Sequence, residues 1–177
     1  DVQNEMTREQ DLREKASVDG LTGALNRKAA EQKINTLMQD KECKGYLLML
    51  DIDDFKTVND TMGHAIGDLA LITLVKLLKE HFRREDIIGR LGGDEFIVFM
   101  TNTELASAVE AKGAEILDIL AKSETIPHFT VSIGAAAYPA AGNDYESLYL
   151  AADNAMYASK KSGKNRIYVD NGQQKKE

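Results

Sequence analysis

The stretch GRLGGDEFIVF, residues 89–99, sets two adjacent acids, Asp94 and Glu95, directly after two glycines and between apolar runs. This pattern is typical of a β-hairpin whose tight turn is formed by the glycines. A turn needs glycine, but it does not need two neighbouring carboxylates. Two adjacent acids also carry a cost, because each disfavours the ionised form of the other. A divalent cation would remove that penalty, and Mg²⁺ prefers hard oxygen ligands of this kind.

A third acid, Asp51, stands near the end of the apolar run GYLLMLDID, residues 45–53. Because this run is continuous rather than alternating, we expect a central strand that is buried on both faces. If Asp51 meets the hairpin tip, the three acids could hold Mg²⁺ for a phosphoryl or nucleotidyl transfer. Gly92 and Gly93 would then let a bulky ligand approach the backbone closely.

Both acidic segments also have a purely structural interpretation. A Gly-Gly-Asp turn is a common hairpin device, and DIDDF can be a strand end that enters solvent. A calcium loop is excluded, although Asp51 and Asp53 fill its first and third positions. Phe55 and Lys56 stand where an EF-hand needs an acid or amide and a glycine.

The composition is that of one soluble globular domain, with 177 residues, 43% apolar and 29% charged. Cys43 is the single cysteine, which excludes an internal disulfide framework and fits a reducing cytoplasm. The net charge of −7 argues against binding to duplex nucleic acid, although a bound cation would still permit a phosphate ligand. No apolar run approaches the roughly 20 residues of a membrane helix, and the charged start resembles no signal peptide.

The spacing of apolar residues predicts alternating helices and strands. Strands are expected at residues 45–53, on both sides of the hairpin turn, at residues 129–138 and at residues 165–169. One helix is expected to begin near Asn26, and a second is expected to end at about Phe82. A third is expected after a capping box at Thr101 and Glu104, and a fourth after a similar pattern at Asn143 and Glu146, ending at about Lys161. Gly63 and Gly67 are expected to break the polar segment that follows the central strand.

Because one pair of adjacent strands forms a hairpin, we predict an α+β fold with a mixed, partly antiparallel central sheet flanked by helices. Residues 1–18 are predicted to be a linker or stalk helix, or else a frayed end. The domain proper is expected at residues 19–170, and residues 171–177 are expected to be a disordered tail. Since the chain lacks an initiator methionine, we expect a fragment whose upstream sensory domain is missing.

Five segments in order strongly resemble the GGDEF family, the diguanylate cyclases of bacterial signalling. They are DGLTGALNR, DIDDFKTVNDTMGHAIGD, RLGGDEF, FTVSIG and ADNAMYASKKSGKN, which together span about Asp19 to Val169. The resemblance implies a fold like the palm of nucleotide cyclases and polymerases. It also implies that two GTP molecules are condensed to cyclic di-GMP with release of pyrophosphate, with Mg²⁺ (or Mn²⁺) as cofactor.

By matching positions, the resemblance implies that Asp51, Asp94 and the backbone carbonyl of Ile52 bind the metal. Asp94, and also Glu95 in one interpretation, would help to deprotonate the attacking 3′-hydroxyl. Lys56 matches a position that stabilises charge in the transition state.

The resemblance further implies that Asn59 and Asp68 recognise guanine, since an amide carbonyl and a carboxylate can accept from its N1–H and amino groups. Outside the family context, the two would be a turn-stabilising side chain and an acid in the first turn of a helix. The other implied substrate-binding residues are Phe55, His64, Gly92, Gly93, Lys160 and Lys164, of which the two lysines would hold the terminal phosphates. His64 could equally pack at a turn.

Arg83 and Asp86 form an R-x-x-D pattern that ends six residues before Gly92. In the family, this spacing marks an inhibitory site that binds the product, and the planar fork of arginine suits phosphate and guanine. An arginine beside acids at a helix end is also common without any such function. Some members supply a further arginine from the helix after the hairpin, but residues 101–125 contain none.

Three functions follow from these residues. The first is an active diguanylate cyclase that works as a homodimer, because the product is a two-fold symmetric ring built from two nucleotides. The second is a catalytically retired module that senses GTP or cyclic di-GMP; retired members typically lose the acid pair, which this chain keeps. The third, a cyclase that makes a 3′,5′-cyclic mononucleotide, fits the signature poorly.

Overall fold

The computed structural model describes residues 1–124 and 127–173. The helices are α1 (Val2–Ser17), α2 (Arg27–Met38), α3 (Phe55–Met62), α4 (His64–His81), α5 (Ala106–Lys122) and α6 (Tyr145–Lys161). The strands are β1 (Leu25–Asn26), β2 (Gly45–Ile52), β3 (Ile87–Gly92), β4 (Glu95–Thr101), β5 (Val131–Tyr138) and β6 (Arg166–Asp170). No helix in the described ranges is both long and apolar enough to cross a membrane.

The six strands form one mixed sheet in the order β1-β3-β4-β2-β5-β6. β2 lies at its centre and pairs antiparallel with both β4 and β5. β3 and β4 form the predicted hairpin, whereas β1 pairs parallel with β3 and β6 pairs parallel with β5. The predicted fold class, with a mixed and partly antiparallel sheet flanked by helices, is confirmed.

Helices cover both faces of the sheet, which explains why all eight residues of β2 are buried. Alternate side chains of a strand point to opposite faces. Leu48 and Leu50 therefore join the core that contains residues of α4 and α5, whereas Leu47 and Met49 join the core that contains residues of α2 and α6. Each such side chain contributes about 1.5–3 kcal/mol when it is fully buried.

The predicted capping box at Thr101 and Glu104 is wrong. Thr101 is the last residue of β4, and α5 begins only at Ala106, with Leu105 as an N-cap that makes no side-chain hydrogen bond. The backbone N–H of Thr101 donates instead to Asp86 Oδ1 at 3.0 Å. Strand pairing and this long-range contact outweigh the local capping preference.

Two other local predictions need correction. Gly67 does not break a helix, because it is buried inside α4, where an added Cβ would lie 1.8 Å from Asn59 Oδ1. The cap of α6 is Asp144 rather than Asn143, and its carboxylate accepts from the Ser147 backbone N–H at 2.7 Å.

The predicted N-terminal helix is present as α1, which buries none of its residues. Its Val2, Met6 and Leu12 are 72%, 66% and 61% exposed. Its use as a stalk, and the boundaries of the domain, stay predictions. Of the predicted C-terminal tail, residues 174–177 lie outside the described ranges.

The close contact of β5 with α6 at Gly134 provides a test of this packing. A Cβ at Gly134 would lie 1.9 Å from the Met156 backbone nitrogen and 2.4 Å from the Ala152 carbonyl oxygen. Because helix backbone cannot yield locally, we expect Gly134→Ala to lower the free energy of unfolding by about 3 kcal/mol in urea titrations followed by circular dichroism. Gly20→Ala is the control, since an added Cβ there meets nothing within 4 Å. An equal effect of both substitutions would contradict this account of the packing.

Candidate active site at the tip of the β3–β4 hairpin

The antiparallel pairing of β2 and β4 brings the acids together. Asp51 is paired with Glu95 in the strand register, at the end of the sheet where β2 finishes and β4 begins. The Ile52 backbone N–H donates to the Asp94 carbonyl oxygen at 3.3 Å, which holds the end of β2 against the hairpin tip. The structure therefore unites the three predicted metal-binding positions, Asp51, Ile52 and Asp94, with Glu95.

Asp51 is an acid in an unusual electrostatic position. It is only 7% exposed, and its Oδ2 accepts a hydrogen bond from Lys160 Nζ. Its buried Oδ1 has no hydrogen-bond donor in the described part of the chain. Burial and the adjacent Asp94 carboxyl raise the pKa of Asp51 to about 7, although Lys160 opposes this shift. The direction is upward because burial and a second acid outweigh one ammonium group.

These donors fit a hard divalent cation that takes part of its coordination shell from elsewhere. An unpartnered buried carboxylate oxygen, a second carboxylate and nearby backbone carbonyls are ligands that Mg²⁺ accepts. Among residues 1–124 and 127–173, no group of three or more His, Cys, Asp or Glu side chains could hold a metal by itself. Water or ligand phosphates would have to complete the octahedron, as is usual for Mg²⁺ in phosphate-binding sites.

The hairpin tip needs its glycines for backbone conformation. Gly92 has φ 139° and Gly93 has φ 53°, both in the region that residues with a Cβ rarely adopt. An added Cβ at either position would meet no atom within 4 Å, so the backbone faces open space. The tip is thus open to solvent, and the predicted role of the two glycines in ligand binding stays a prediction.

Arg90 is a positioning residue that the sequence analysis missed. Its Nε and Nη2 donate to the Gly93 carbonyl oxygen at 3.1 and 2.7 Å, and its Nη1 donates to both Asp19 carboxylate oxygens at 3.2 and 3.1 Å. Asp19 also accepts from the backbone N–H and hydroxyl of Thr22. Arg90 therefore ties the hairpin tip to the turn that follows α1. Both residues lie in quoted motifs, but their separation of 71 positions gives no local signal.

Asp53 is a second missed residue, and it anchors the turn that carries the predicted phosphate-binding lysines. Its Oδ1 accepts from Ser132 Oγ at 2.6 Å, and its Oδ2 accepts from Thr130 Oγ1 at 2.6 Å and from the Asn165 backbone N–H at 3.0 Å. These bonds join the end of β2, the start of β5 and the turn after α6. Asp53 therefore helps to position the site, and both of its carboxylate oxygens are already occupied by hydrogen bonds.

The two predicted phosphate-binding lysines both reach acids at this end of β2. Lys160, in the last turn of α6, contacts Asp51, and Lys164 Nζ donates to Asp54 Oδ1 at 2.7 Å. That hydrogen bond to Asp54 raises the pKa of Lys164. Lys161 points elsewhere, with its ammonium 5.2 Å from the centre of the Tyr157 ring.

The predicted guanine-binding residues lie on the pair of helices that follows β2. The Asn59 side chain of α3 packs over Gly67 of α4, and Asp68 is the residue that follows Gly67 in the sequence. Phe55, at the start of α3, is half-buried against the core.

Three further predicted site residues on this helix pair, Lys56, His64 and Asp68, have exposed side chains. None of the three forms a hydrogen bond or ion pair with another described residue, so the structure does not tie them to the acids. Their predicted roles stay predictions.

Arg83 and Asp86 lie at the opposite end of the hairpin from the acids. Asp86 is 9% exposed and accepts from the backbone N–H groups of Thr101 at 3.0 Å and Arg83 at 2.9 Å. Arg83 Nη2 donates to the Thr101 carbonyl and, at 3.1 Å, to Thr103 Oγ1. The pair therefore joins the end of α4 to the end of β4, about 20 Å from the start of that strand. The Arg83 side chain is still 47% exposed.

Comparison with known sequences agrees with this geometry. The family described as "Diguanylate cyclase, GGDEF domain" matches residues 16–166. The probable diguanylate cyclase DgcC of Escherichia coli K12 is 38% identical over 160 residues, which cover 85% of this chain and 42% of DgcC. Diguanylate cyclase A of Treponema denticola is 38% identical over 139 residues, which cover 76% of this chain and 37% of that protein. The chain thus spans about two fifths of the length of these two relatives.

Comparison with solved structures extends the likeness to the whole fold. The crystal structure of the coiled coil and GGDEF domain of DgcB from Caulobacter crescentus, in complex with c-di-GMP, superposes with a TM-score of 0.85 at 30% identity. The match covers 95% of this chain and 93% of that one. Sequence, fold and the acidic hairpin tip agree, and this chain belongs to the GGDEF domain family of the diguanylate cyclases.

Proposed function

We propose that this chain is an active diguanylate cyclase domain, which condenses two GTP molecules into cyclic di-GMP. The observation that carries the proposal is the buried Asp51 carboxylate, which lies beside Asp94 at an open hairpin tip and has one oxygen without a donor. Lys160 contacts only the other oxygen of Asp51, so its charge offsets only part of the cost of burying this carboxylate beside a second acid. The names of the relatives and the retained acid pair support the same reaction.

Asp51, Asp94 and the backbone carbonyl of Ile52 would hold Mg²⁺, or Mn²⁺ in its place. The bound cation would supply Lewis-acid stabilisation of charge on the reacting phosphate and on the leaving pyrophosphate. The unpartnered Oδ1 of Asp51 is the donor that most needs such a partner.

The remaining steps belong to side chains around the acids. Asp94 or Glu95 would accept the proton of the attacking 3′-hydroxyl, whose oxygen forms the new bond to the α-phosphorus of the other GTP. The α–β phosphoanhydride bond breaks, and its electron pair leaves with pyrophosphate. Two such transfers close the ring and release two pyrophosphates. Lys160 and Lys164 would bind the terminal phosphates, and Lys56 would stabilise the developing charge.

The base would lie against the α3–α4 helix pair. Asn59 and Asp68 would accept hydrogen bonds from guanine, and the Asn59 side-chain oxygen lies against Gly67, the residue before Asp68 in the sequence. Phe55 and His64 would contribute to the same pocket. The open backbone at Gly92 and Gly93 would admit the sugar and phosphates.

A homodimer follows from the symmetry of the product. One domain carries parts for one nucleotide, so two domains must face each other with their hairpin tips opposed to align each 3′-hydroxyl with the other α-phosphate. The exposed apolar side chains of α1, Val2, Met6 and Leu12, are available for contact with another protein surface, such as that of the upstream sensory domain predicted from the sequence. Because GTP is a cytoplasmic substrate, the proposal places the domain on the cytoplasmic side.

Cyclic di-GMP would also bind as an inhibitor at Arg83 and Asp86. The buried Asp86 holds the backbone at Arg83, and the half-exposed Arg83 side chain, whose Nη1 lies 3.8 Å from Glu85 Oε1, would turn its planar fork to a phosphate or a guanine face. The hydrogen bonds of Arg83 to Thr101 and Thr103 mean that the same side chain also supports the end of β4.

Removal of one acid tests the catalytic assignment. We expect Asp94→Asn to lower the rate of cyclic di-GMP formation from GTP and Mg²⁺ by about 10³-fold or more, because it removes a metal ligand and a proton acceptor. The midpoint of thermal unfolding should change little, since Asp94 is only partly buried. Asp118→Asn, which alters an exposed pair with Lys122, is the matched control. Retained turnover in the Asp94 variant would contradict the assignment.

A forced dimer separates the enzyme from a retired sensor. The chain is fused behind a parallel coiled coil, and its products from GTP and Mg²⁺ are analysed by mass spectrometry. Cyclic di-GMP is the expected product, and a 3′,5′-cyclic mononucleotide would overturn the proposal. Binding of GTP without any product at high protein concentration would assign the chain to the sensing class.

The inhibitory site has its own test. We expect Arg83→Ala to weaken cyclic di-GMP binding, measured by calorimetry, by at least about tenfold, and to raise the rate at accumulated product. Arg83→Lys, which keeps the charge but loses the fork, should also bind weakly. Arg84→Ala alters the neighbouring exposed arginine and should bind like the unaltered chain. Because Arg83 supports β4, unfolding midpoints are measured alongside, and unchanged product inhibition in a folded Arg83→Ala variant would refute the assignment.

A further inference from the structure

Lys160 is the cation nearest to the acidic cluster. It stands in the last turn of α6, and its ammonium donates to Asp51 Oδ2. Burial lowers the pKa of Lys160, but the hydrogen bond and charge of Asp51, together with the charges of Asp94 and Glu95, outweigh this effect and raise it. One flexible lysine therefore serves as counter-cation to three acids.

We propose that the Lys160 ammonium and a divalent cation compete for the Asp51 carboxylate, so that the cation binds mainly together with a triphosphate that draws Lys160 away. The part that concerns the triphosphate rests on the function proposed above. The competition between lysine and metal depends only on the geometry of this chain.

The two cations need the same carboxylate. Asp51 offers one oxygen to Lys160 and keeps the other without a donor, so a divalent ion at Oδ1 would lie close to the ammonium at Oδ2. Like charges at that separation repel strongly, and burial weakens the screening by water. A divalent ion therefore gains most from Asp51 after the ammonium has moved.

Lys160 can move without any change in the fold. The side chain is 35% exposed, whereas that of Asp51 is 10% exposed, so the ammonium lies on the solvent side of the carboxylate. Lysine is a compact charge on a four-carbon stem, and its ammonium can be redirected by rotation about side-chain bonds alone. Phosphate oxygens that approach from solvent would offer it a second anionic partner.

The neighbouring lysine provides a matched comparison. Lys161 stands one residue further along α6, carries the same charge and lies over the Tyr157 ring instead of the acids. It differs from Lys160 mainly in the direction of its side chain. Substitution of Lys161 therefore controls for the loss of one positive charge at this end of the helix.

Binding of Mn²⁺ without nucleotide tests the competition directly. Free Mn²⁺ is quantified by electron paramagnetic resonance during titration of the unaltered chain, Lys160→Gln and Lys161→Gln. We expect Lys160→Gln to tighten the Kd for Mn²⁺ by at least about tenfold and Lys161→Gln to change it less than about twofold. Lys160→Met, an unbranched apolar side chain, should tighten it as well. Adding Asp51→Asn to Lys160→Gln should abolish the gain, which locates the gain at Asp51.

A non-hydrolysable GTP analogue tests the second half of the proposal. With the analogue present, the advantage of Lys160→Gln for Mn²⁺ should vanish, because the lysine of the unaltered chain is then bound to phosphate.

Equal or weaker Mn²⁺ binding by both Lys160 variants without nucleotide would overturn the proposal and leave Lys160 as a structural ion-pair partner. If the chain fused behind the parallel coiled coil makes no cyclic di-GMP while Lys160→Gln still binds Mn²⁺ more tightly, the competition stands and the proposed enzymatic function fails.

Discussion

The register between β2 and β4 is the constraint on which the site depends. It sets Asp51 opposite Glu95 and brings the end of a fully buried strand to the tip of a hairpin. Because side chains alternate along a strand, Asp51 points to the same face as Leu47 and Met49, the face that α6 covers. A slip of one residue would turn the carboxylate to the other face and would send each core the β2 side chains that fit the opposite core. The same apolar packing that stabilises the fold therefore also fixes the acid and the lysine that meets it.

Long-range polar contacts convert this register into a defined site. Arg90 fixes the hairpin tip by joining Gly93 to Asp19, and Asp53 fixes the turn after α6 by accepting three hydrogen bonds. Each residue links segments that are far apart in sequence but meet where the strands end. The acids and lysines can thus be held at separate ends of different elements and still converge.

The sequence predicted the sheet and the meeting of the acids because both depend on strong local patterns. A continuous apolar run, a two-glycine turn and the acids at their ends can be identified within windows of about ten residues. It did not predict the long-range contacts of Asp53, Asp86 and Arg90, which join residues 15 to 112 positions apart. It also failed at Thr101, where a plausible capping box gave way to strand pairing and the buried Asp86. Local propensity decides where elements form, whereas the partners of buried polar groups depend on the whole fold.

The backbone near Asp53 has a thermodynamic consequence. Three of the four non-glycine residues with positive φ in the described ranges, Asp54, Lys164 and Asn165, lie at the junction between β2 and the turn after α6. A left-handed conformation costs most residues with a Cβ about 1–2 kcal/mol and costs Asp and Asn less, so Lys164 is the most strained residue of this junction before any ligand arrives. The Asp53 hydrogen bonds to Asn165, Thr130 and Ser132 hold the strained form in place. The turn after α6, which carries Lys164, is therefore preorganised. The entropy cost of ordering this turn arises during folding and does not reduce the affinity for a ligand.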